Sequence, residues 1–535
     1  MATALSQGRQ PHKWWALLAV SFGLFMSLLD VTIVNVALPT IRLDTHANFS
    51  DLEWVINGYA LVFAVVLVTA GRLGDIFGRK KVFIAGLAVF STGSLLSSLS
   101  PQIAHIGLAP ILVLNLARGI QGLGASAMTP LSAAIIAVIF HGRERGTAFG
   151  IWGAVAGLAT AIGPLVGGVL VEKVSWQSIF YLNVPIGVAA ILITLWAVPE
   201  SRDEHSSRRI DIYGLVTLTV TMFCLVLALI QGSSKGFGST YILVLFGIAA
   251  VGLLAFIFGE LRLKDPMVDL RLFAIRSFTG ATVAAFCLSA GLYSLFFYLS
   301  LYLQNYMGYS ALSAGLRFMP LSAMVLVGAP IAGRFSDRVG PKWILAVGML
   351  LVTVGVLLMA RVSGVHVNPY WAILFPAAIV AGIGNGMVNP PLTSVALGAV
   401  EPRRSGMASG VNNVCRQIGT AFGIAFLGAV LDNRYLHQLQ AKILSIRIPH
   451  VTQSVLHQVS RGVSKAGIIA GSEGFRGSGE AAKYGHSALL TDVSQYARAS
   501  FLHAFGISIW VAGALLAIGF LCTLFFVNND RPRSA

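Results

Sequence analysis

Asp30 is the residue with the most chemical consequence in this chain. It lies inside an apolar run from Trp14 to about Pro39, and it is the only carboxylate deep within any apolar run; Glu260 and Asp432 fall at run ends. A charge in hydrocarbon costs at least ~2.5–3.5 kcal/mol on the insertion scale, so it persists where it is paired or used. Arg118 is its natural partner. Asp30 stands nine residues before Pro39 and Arg118 nine residues after Ala109, which places each about 13 Å from the same bilayer face at 1.5 Å per residue. A neighbouring guanidinium favours the ionised form of a carboxylate, and desolvation opposes it. A conformational change that alters either influence alters proton affinity, which is what coupling a movement to a proton requires.

A second group is charged but superficial. The segment GRLGDIFGRKK, 71–81, joins two apolar runs and carries Gly71, Asp75, Gly78, Arg79 and Lys80. Such a loop can latch one conformation through helix-dipole and ion-pair contacts. Plain anchoring to a charged membrane face explains the basic residues but not Asp75. A third group is steric. Gly163 and Gly167 form a G-x-x-x-G pattern with Gly168 beside it. That pattern permits close helix approach, and Pro164 removes a backbone donor and can kink the helix. Candidates for lining a cavity are Asn35, Asn57, Gln121, Tyr293, Phe297 and Arg416. Tyr293 and Phe297 belong to an aromatic-rich run with Phe286, Phe296, Tyr298, Tyr302 and Tyr306, suited equally to flat lipophilic ligands and to a lipid interface. Arg317 and Arg416 are further cations inside apolar runs.

These groups need a membrane scaffold. Of 535 residues, 56% are hydrophobic and 11% charged, against roughly 25% charged in soluble proteins. The formal net charge of +16 would point to nucleic acid in a soluble chain. Here the basic residues sit in short breaks between apolar runs, so the partner is an anionic membrane face. Cys224, Cys287, Cys415 and Cys522 all lie in apolar runs without metal-ligand spacing, so neither disulfide nor metal site is expected, and no cofactor motif is present. Lys13 precedes a first run too long for a signal core, which is therefore expected to be a retained spanning helix.

Fourteen runs satisfy the requirement of about 20 apolar residues: 14–38, 54–70, 82–100, 109–139, 147–170, 178–198, 211–230, 240–260, 277–303, 311–333, 343–361, 370–392, 406–431 and 501–527. The short breaks on one side hold only Arg42, Lys173 and Lys235, and most other basic residues fall on the opposite side. That asymmetry places both termini in the cytoplasm. The segment 432–499 falls outside, long enough to escape the charge rule. Leu436, Leu439 and Ile443, then Val455, Leu456, Val459 and Val463, have helical spacing there, which predicts short amphipathic helices. The stretch AGSEGFRGSGE, 470–480, has the composition of a flexible connector.

The chain repeats itself. GRLGDIFGRKK at 71 returns as GRFSDRVGPK at 333, an offset of 262, with Ser336 in place of Gly74 and Pro341 in place of Arg79. GTAFG at 146–150 resembles GMASG at 406–410, and Pro130-Leu131 matches Pro391-Leu392. Aligning Gly119-Ile120 with Gly382-Ile383 sets Ala381 opposite Arg118, so the arginine belongs to one half. The expected architecture is an all-α membrane protein of two six-helix bundles, 1–200 and 263–535, with two inserted helices at 201–262. Parallel halves are a transporter pattern.

At this point the residues resemble a known family. GRLGDIFGRKK looks like the loop between helices 2 and 3 of the major facilitator superfamily. LDVTIVNVALP, 29–39, resembles the helix 1 signature of its fourteen-helix drug:proton antiporters, the EmrB/QacA type. LNLARGIQGLGAS, 114–126, is similar to the helix 4 motif with its buried arginine, and GIWGAVAGLATAIGPLVGG, 150–168, to the helix 5 antiporter motif. The resemblance spans nearly the whole chain and implies a major facilitator fold. It also implies a proton-coupled antiporter that exports small lipophilic compounds such as drugs, antibiotics and toxic organic cations by alternating access. The coupling ion, a proton rather than sodium, is what the resemblance assigns. The expected partners are a small-molecule substrate, protons and the lipid bilayer of the cytoplasmic membrane, with no nucleic acid, and a monomer is expected to suffice. An exporter of the same fold dedicated to one endogenous metabolite or self-made antibiotic stays open. A membrane-embedded enzyme would need clustered nucleophiles at one depth, and most of the eleven histidines lie in loops.

Overall fold

The structure is a computed structural model and describes residues 12–45, 47, 49–103, 109–141, 143–202, 211–263, 268–309, 311–361, 373–401, 405–444 and 487–528. Backbone N–H and C=O groups in hydrocarbon must be paired within their own segment, and the described chain accordingly folds into long helices. The first six are α1 (Lys13–Thr45), α2 (Phe49–Phe77), α3 (Arg79–Ser98), α4 (Pro110–Ile139), α5 (Arg143–Lys173) and α6 (Asn183–Ala197, entered by a turn at Ser178–Tyr181). Next come α7 (Ile212–Lys235) and α8 (Thr240–Arg262). A composite α9 joins Arg276–Leu288, a π turn at Ser289–Tyr293, Ser294–Leu301 and a second π turn at Tyr302–Tyr306. The last five are α10 (Ala311–Val339), α11 (Pro341–Met359), α12 (Phe375–Gly398), α13 (Ser405–Leu444) and α14 (Ser487–Phe526). Among the described residues, twelve helices are long and apolar enough to cross a membrane. The two long helices outside that set, α5 and α12, are rich in glycine. α12 also carries Asn385, Asn389, Pro390 and Pro391 and is packed between α10 and α11, so it has little lipid to face.

The repeat is visible atom by atom. Gly78 (φ 110°) breaks α2 from α3, and Gly340 (φ 98°) breaks α10 from α11. A Cβ on either residue would be strained in this backbone region. α4 lies across α2 and α3 as α12 lies across α10 and α11. A Cβ on Gly124 would come within 2.7 Å of the Gly86 carbonyl oxygen, and one on Gly384 within 2.8 Å of the Gly348 carbonyl oxygen. Gly93 meets the backbone of Gln121 as Gly355 meets that of Ala381. These pairs keep the offset of 262 in the third helix of each half and change it to 260 in the fourth. The alignment of Arg118 with Ala381 is thereby corrected by one turn: Ala381 is equivalent to Gln121, and Ala378 to Arg118. The arginine still has no charged counterpart.

Across the halves, Gly150 of α5 packs on the Ala329 carbonyl of α10, and Gly410 of α13 on the Leu67 carbonyl of α2. α7 and α8 pack on each other, and α7 leans on α2 and α13. Leu243, Val244, Ile248, Val251 and Leu254 of α8 stay exposed, as a lipid-facing helix requires. Two expectations change. The segment 71–77 is the end of α2 and not a loop, with Gly78 alone as the joint. Leu436, Leu439 and Ile443 lie on an unbroken continuation of α13 rather than on a separate short helix, and Leu439 and Ile443 are buried. Residues 487–499 belong to α14. Val455, Leu456, Val459, Val463 and 470–480 lie outside the described residues.

Candidate functional site

Asp30 and Arg118 form an ion pair in which both side chains are buried. Five helices, α1, α2, α3, α4 and α6, contribute to it. Gln121, one turn on from Arg118, donates from Nε2 to Asp30 Oδ1 at 2.9 Å and to Ser94 Oγ at 3.1 Å. Its Oε1 accepts from Arg118 at 2.8 Å. Asn183 at the start of α6 donates to Ser94 Oγ at 3.1 Å and to Asp30 Oδ1 at 3.4 Å. Arg118 Nε donates to the Val55 carbonyl at 2.9 Å, and its guanidinium lies 4.5 Å from the centre of the Tyr59 ring. The Asp30 oxygens meet N–H donors from three side chains, the set that an ionised carboxylate accepts. Gln121 therefore belongs to the ion pair and not to a cavity wall. Ser94, Asn183 and Tyr59 are members that sequence reasoning missed. A neutral polar residue inside an apolar run gives no sign of which helix it faces.

The helix 5 glycines connect this pair to the seam between halves. A Cβ on Gly163 would collide with Thr32, and one on Gly167 would come within 2.8 Å of Ile33. Both partners lie within three residues of Asp30 on α1. Closer to its start, α5 packs on α10, with Gly157 against Val325. Gly168 is part-buried. α5 runs unbroken through Pro164, whose side chain lies outside the described residues.

Asp75 is buried at the end of α2. Its Oδ1 accepts from Arg79 Nε at 3.0 Å and Nη2 at 2.7 Å, and its Oδ2 accepts the Met407 backbone N–H at 3.0 Å. Met407 lies in the first turn of α13, where orphan N–H groups and the dipole favour an anion. Asp75 thus ties one half to the other. Ser409 adds a hydrogen bond to the Pro130 carbonyl at 3.1 Å. Gly71 is buried; Lys80 donates from its side chain to the Leu195 carbonyl at 2.8 Å. Glu200, unnoticed in the sequence, accepts the Lys80 backbone N–H at 3.1 Å and fills the space beside Gly78.

The second half holds a different polar group. The Tyr293 hydroxyl, at the end of the first π turn, donates to Asn385 Oδ1 at 3.2 Å. Asn389 donates to Asn385 Oδ1 at 2.9 Å and accepts from Arg416 at 2.6 Å. Asn385 and Asn389 were not singled out in the sequence. Phe297 is 45% exposed and joins neither polar group; its ring meets Tyr298. Tyr302 and Tyr306 stack on Phe501 of α14, which makes them packing residues. Asn57 is part-buried and joins neither group among the described residues. The side chain of Asn35 lies outside them. Arg317 stacks on Tyr309 at 3.5 Å.

A family model described as Major Facilitator Superfamily matches residues 20–424. The tetracenomycin C resistance and export protein of Streptomyces glaucescens is 32% identical over 528 residues, covering 97% of this chain and 93% of that protein. The multidrug resistance protein Stp of Mycobacterium tuberculosis (strain ATCC 25618 / H37Rv) is 34% identical, covering 94% and 90%. Among solved structures, the proton:xylose symporter XylE bound to 6-bromo-6-deoxy-D-glucose superposes with a TM-score of 0.61 at 14% identity, covering 97% of this chain and 96% of that one. Parallel halves tied by α5 on α10 and α2 on α13, apolar helices throughout and these matches agree: the chain is a multi-pass membrane transporter that belongs to the Major Facilitator Superfamily.

Proposed function

We propose that this protein exports small lipophilic compounds of the antibiotic and multidrug type across the cytoplasmic membrane in exchange for protons, as a monomer with both termini in the cytoplasm. The halves are 1–200 and 263–535, with 201–262 inserted beside them. The buried Asp30–Arg118 pair carries the reading. Protonating Asp30 cancels the ion pair and leaves Arg118 to Gln121 and the Val55 carbonyl. α1 then sits differently on α4. Thr32 and Ile33 pass that shift to Gly163 and Gly167 of α5, and α5 passes it to α10 in the other half, a contiguous packed route of the kind that can carry coupling. Asp75, held by Arg79 and bound to Met407, is the latch released when the halves part on the cytoplasmic side. The relatives whose names mention antibiotic resistance support an exporter. Both are named for a single compound, which favours a dedicated exporter as the second reading.

The test is flux in proteoliposomes with an imposed pH gradient. Wild type should move a lipophilic drug uphill. Asp30→Asn should lose uphill transport and keep downhill exchange. Uphill transport by Asp30→Asn at the wild-type rate would refute the proton site.

A further inference from the structure

Among the described residues, Arg416 is a cation without a counter-ion. α13 begins at Ser405, so Arg416 lies about 16 Å along it, near the middle of a hydrocarbon layer about 30 Å thick. Arg118, in the other half, is neutralised by Asp30. Among the described residues no carboxylate lies within 4.0 Å of Arg416. Its hydrogen-bond acceptor is the neutral Asn389 Oδ1. The Nε of Arg416 is buried without a partner, and so is Nδ2 of Asn412. Asn412 is 4% exposed and stands four residues from Arg416, on the same face of α13. Both line one small cavity between the halves, of about 10 Å³ in this closed arrangement and so room for about one water, together with Trp152, Thr393, Ser409 and Asn413. Leaving a buried guanidinium and an amide donor unpaired is costly, and a ligand that accepts from both offsets the cost.

The geometry points to a subsite for the acidic group of the transported compound. Arg416 Nε and Asn412 Nδ2 are N–H donors that a carboxylate, sulfonate or phenolate can accept from, and the guanidinium supplies the charge. The Trp152 indole, fixed by its hydrogen bond to Ser132 at 3.2 Å, borders the same cavity and offers a flat apolar wall for the rest of the ligand once the halves part and the cavity widens. An organic cation meets the like charge of Arg416 there. The preferred substrate class is therefore a lipophilic organic anion. For transport, this rests on the export reading; for binding, it does not.

The probes are three pyrenes of one shape: 1-pyrenebutyrate, 1-pyrenebutanol and 1-pyrenebutylammonium. Binding to the purified full chain in detergent is measured by equilibrium dialysis, and pH-driven flux in proteoliposomes. Wild type should bind the butyrate most tightly and the ammonium most weakly. Arg416→Gln should weaken butyrate binding by at least about tenfold, the scale of a lost charge-assisted contact, and leave the alcohol within about twofold. Arg416→Lys, which keeps the charge, should recover part of the loss, and Asn412→Ala should weaken the butyrate selectively. Butyrate binding no tighter than ammonium binding in wild type overturns the subsite. Equal butyrate affinity in folded Arg416→Gln and wild type also overturns it. Selective butyrate binding without pH-driven flux of any probe sustains the subsite and removes the export reading instead.

Discussion

Gln121 makes the Asp30–Arg118 pair a closed set. Its amide donates to the carboxylate and accepts from the guanidinium, so neither charge has to find water. Removing one member of a buried ion pair leaves the other uncompensated, at about 3–5 kcal/mol. Arg118→Gln is thus expected to destabilise the protein by that order. Asp30→Asn with Arg118→Gln together should cost less than the two single changes added, by about 1 kcal/mol or more, because both act on one interaction. Thermal unfolding of the purified variants in detergent checks this, and additive losses would show that the two charges are stabilised separately.

Helix ends, as well as the packed interiors of α5 and α10, join the two halves. The Asp75 carboxylate sits at the close of α2 and caps the opening turn of α13 across the seam. An anion at a helix N-terminus contributes typically 0.3–1 kcal/mol and up to ~2 kcal/mol when partly buried. Asp75→Asn keeps an acceptor for Met407 and loses the charge held by Arg79. It is expected to change the balance between conformations without touching cargo. The turnover number should fall by up to roughly tenfold, with the half-saturating substrate concentration within about twofold. Steady-state flux in proteoliposomes separates the two parameters, and an unchanged turnover number would remove the latch.

Taken whole, the molecule is two bundles tied where Gly150 meets α10 and Gly410 meets α2. A Cβ on Gly410 would stand 3.3 Å from the Val68 Cα, which makes these two positions close neighbours across the seam. With Cys224, Cys287, Cys415 and Cys522 replaced, the pair Val68→Cys and Gly410→Cys should cross-link on oxidation. Flux should stop when the bond forms and return on reduction, because alternating access requires this seam to part. Full flux through the oxidised protein would rule out movement at the seam.

How much of this was legible from the chain alone depends on contrast. An apolar background makes charge conspicuous, so Asp30 and Arg118 stood out and their shared depth followed from residue counting. The apolar runs and the repeat were legible for the same reason: both are patterns along one dimension. The repeat's register was legible only to within a turn. Matching Gly-Ile pairs set Ala381 opposite Arg118, and the contacts of Gly93 and Gly355 set it opposite Gln121. What each buried polar side chain faces depends on how helices far apart in sequence rotate and pack. Residue type could not distinguish Gln121, which completes an ion pair, from Asn389, which meets Arg416. Arg118 and Arg416 are both cations inside apolar helices; residue counting gave the first its carboxylate, and only the tertiary structure gives the second an amide and a cavity.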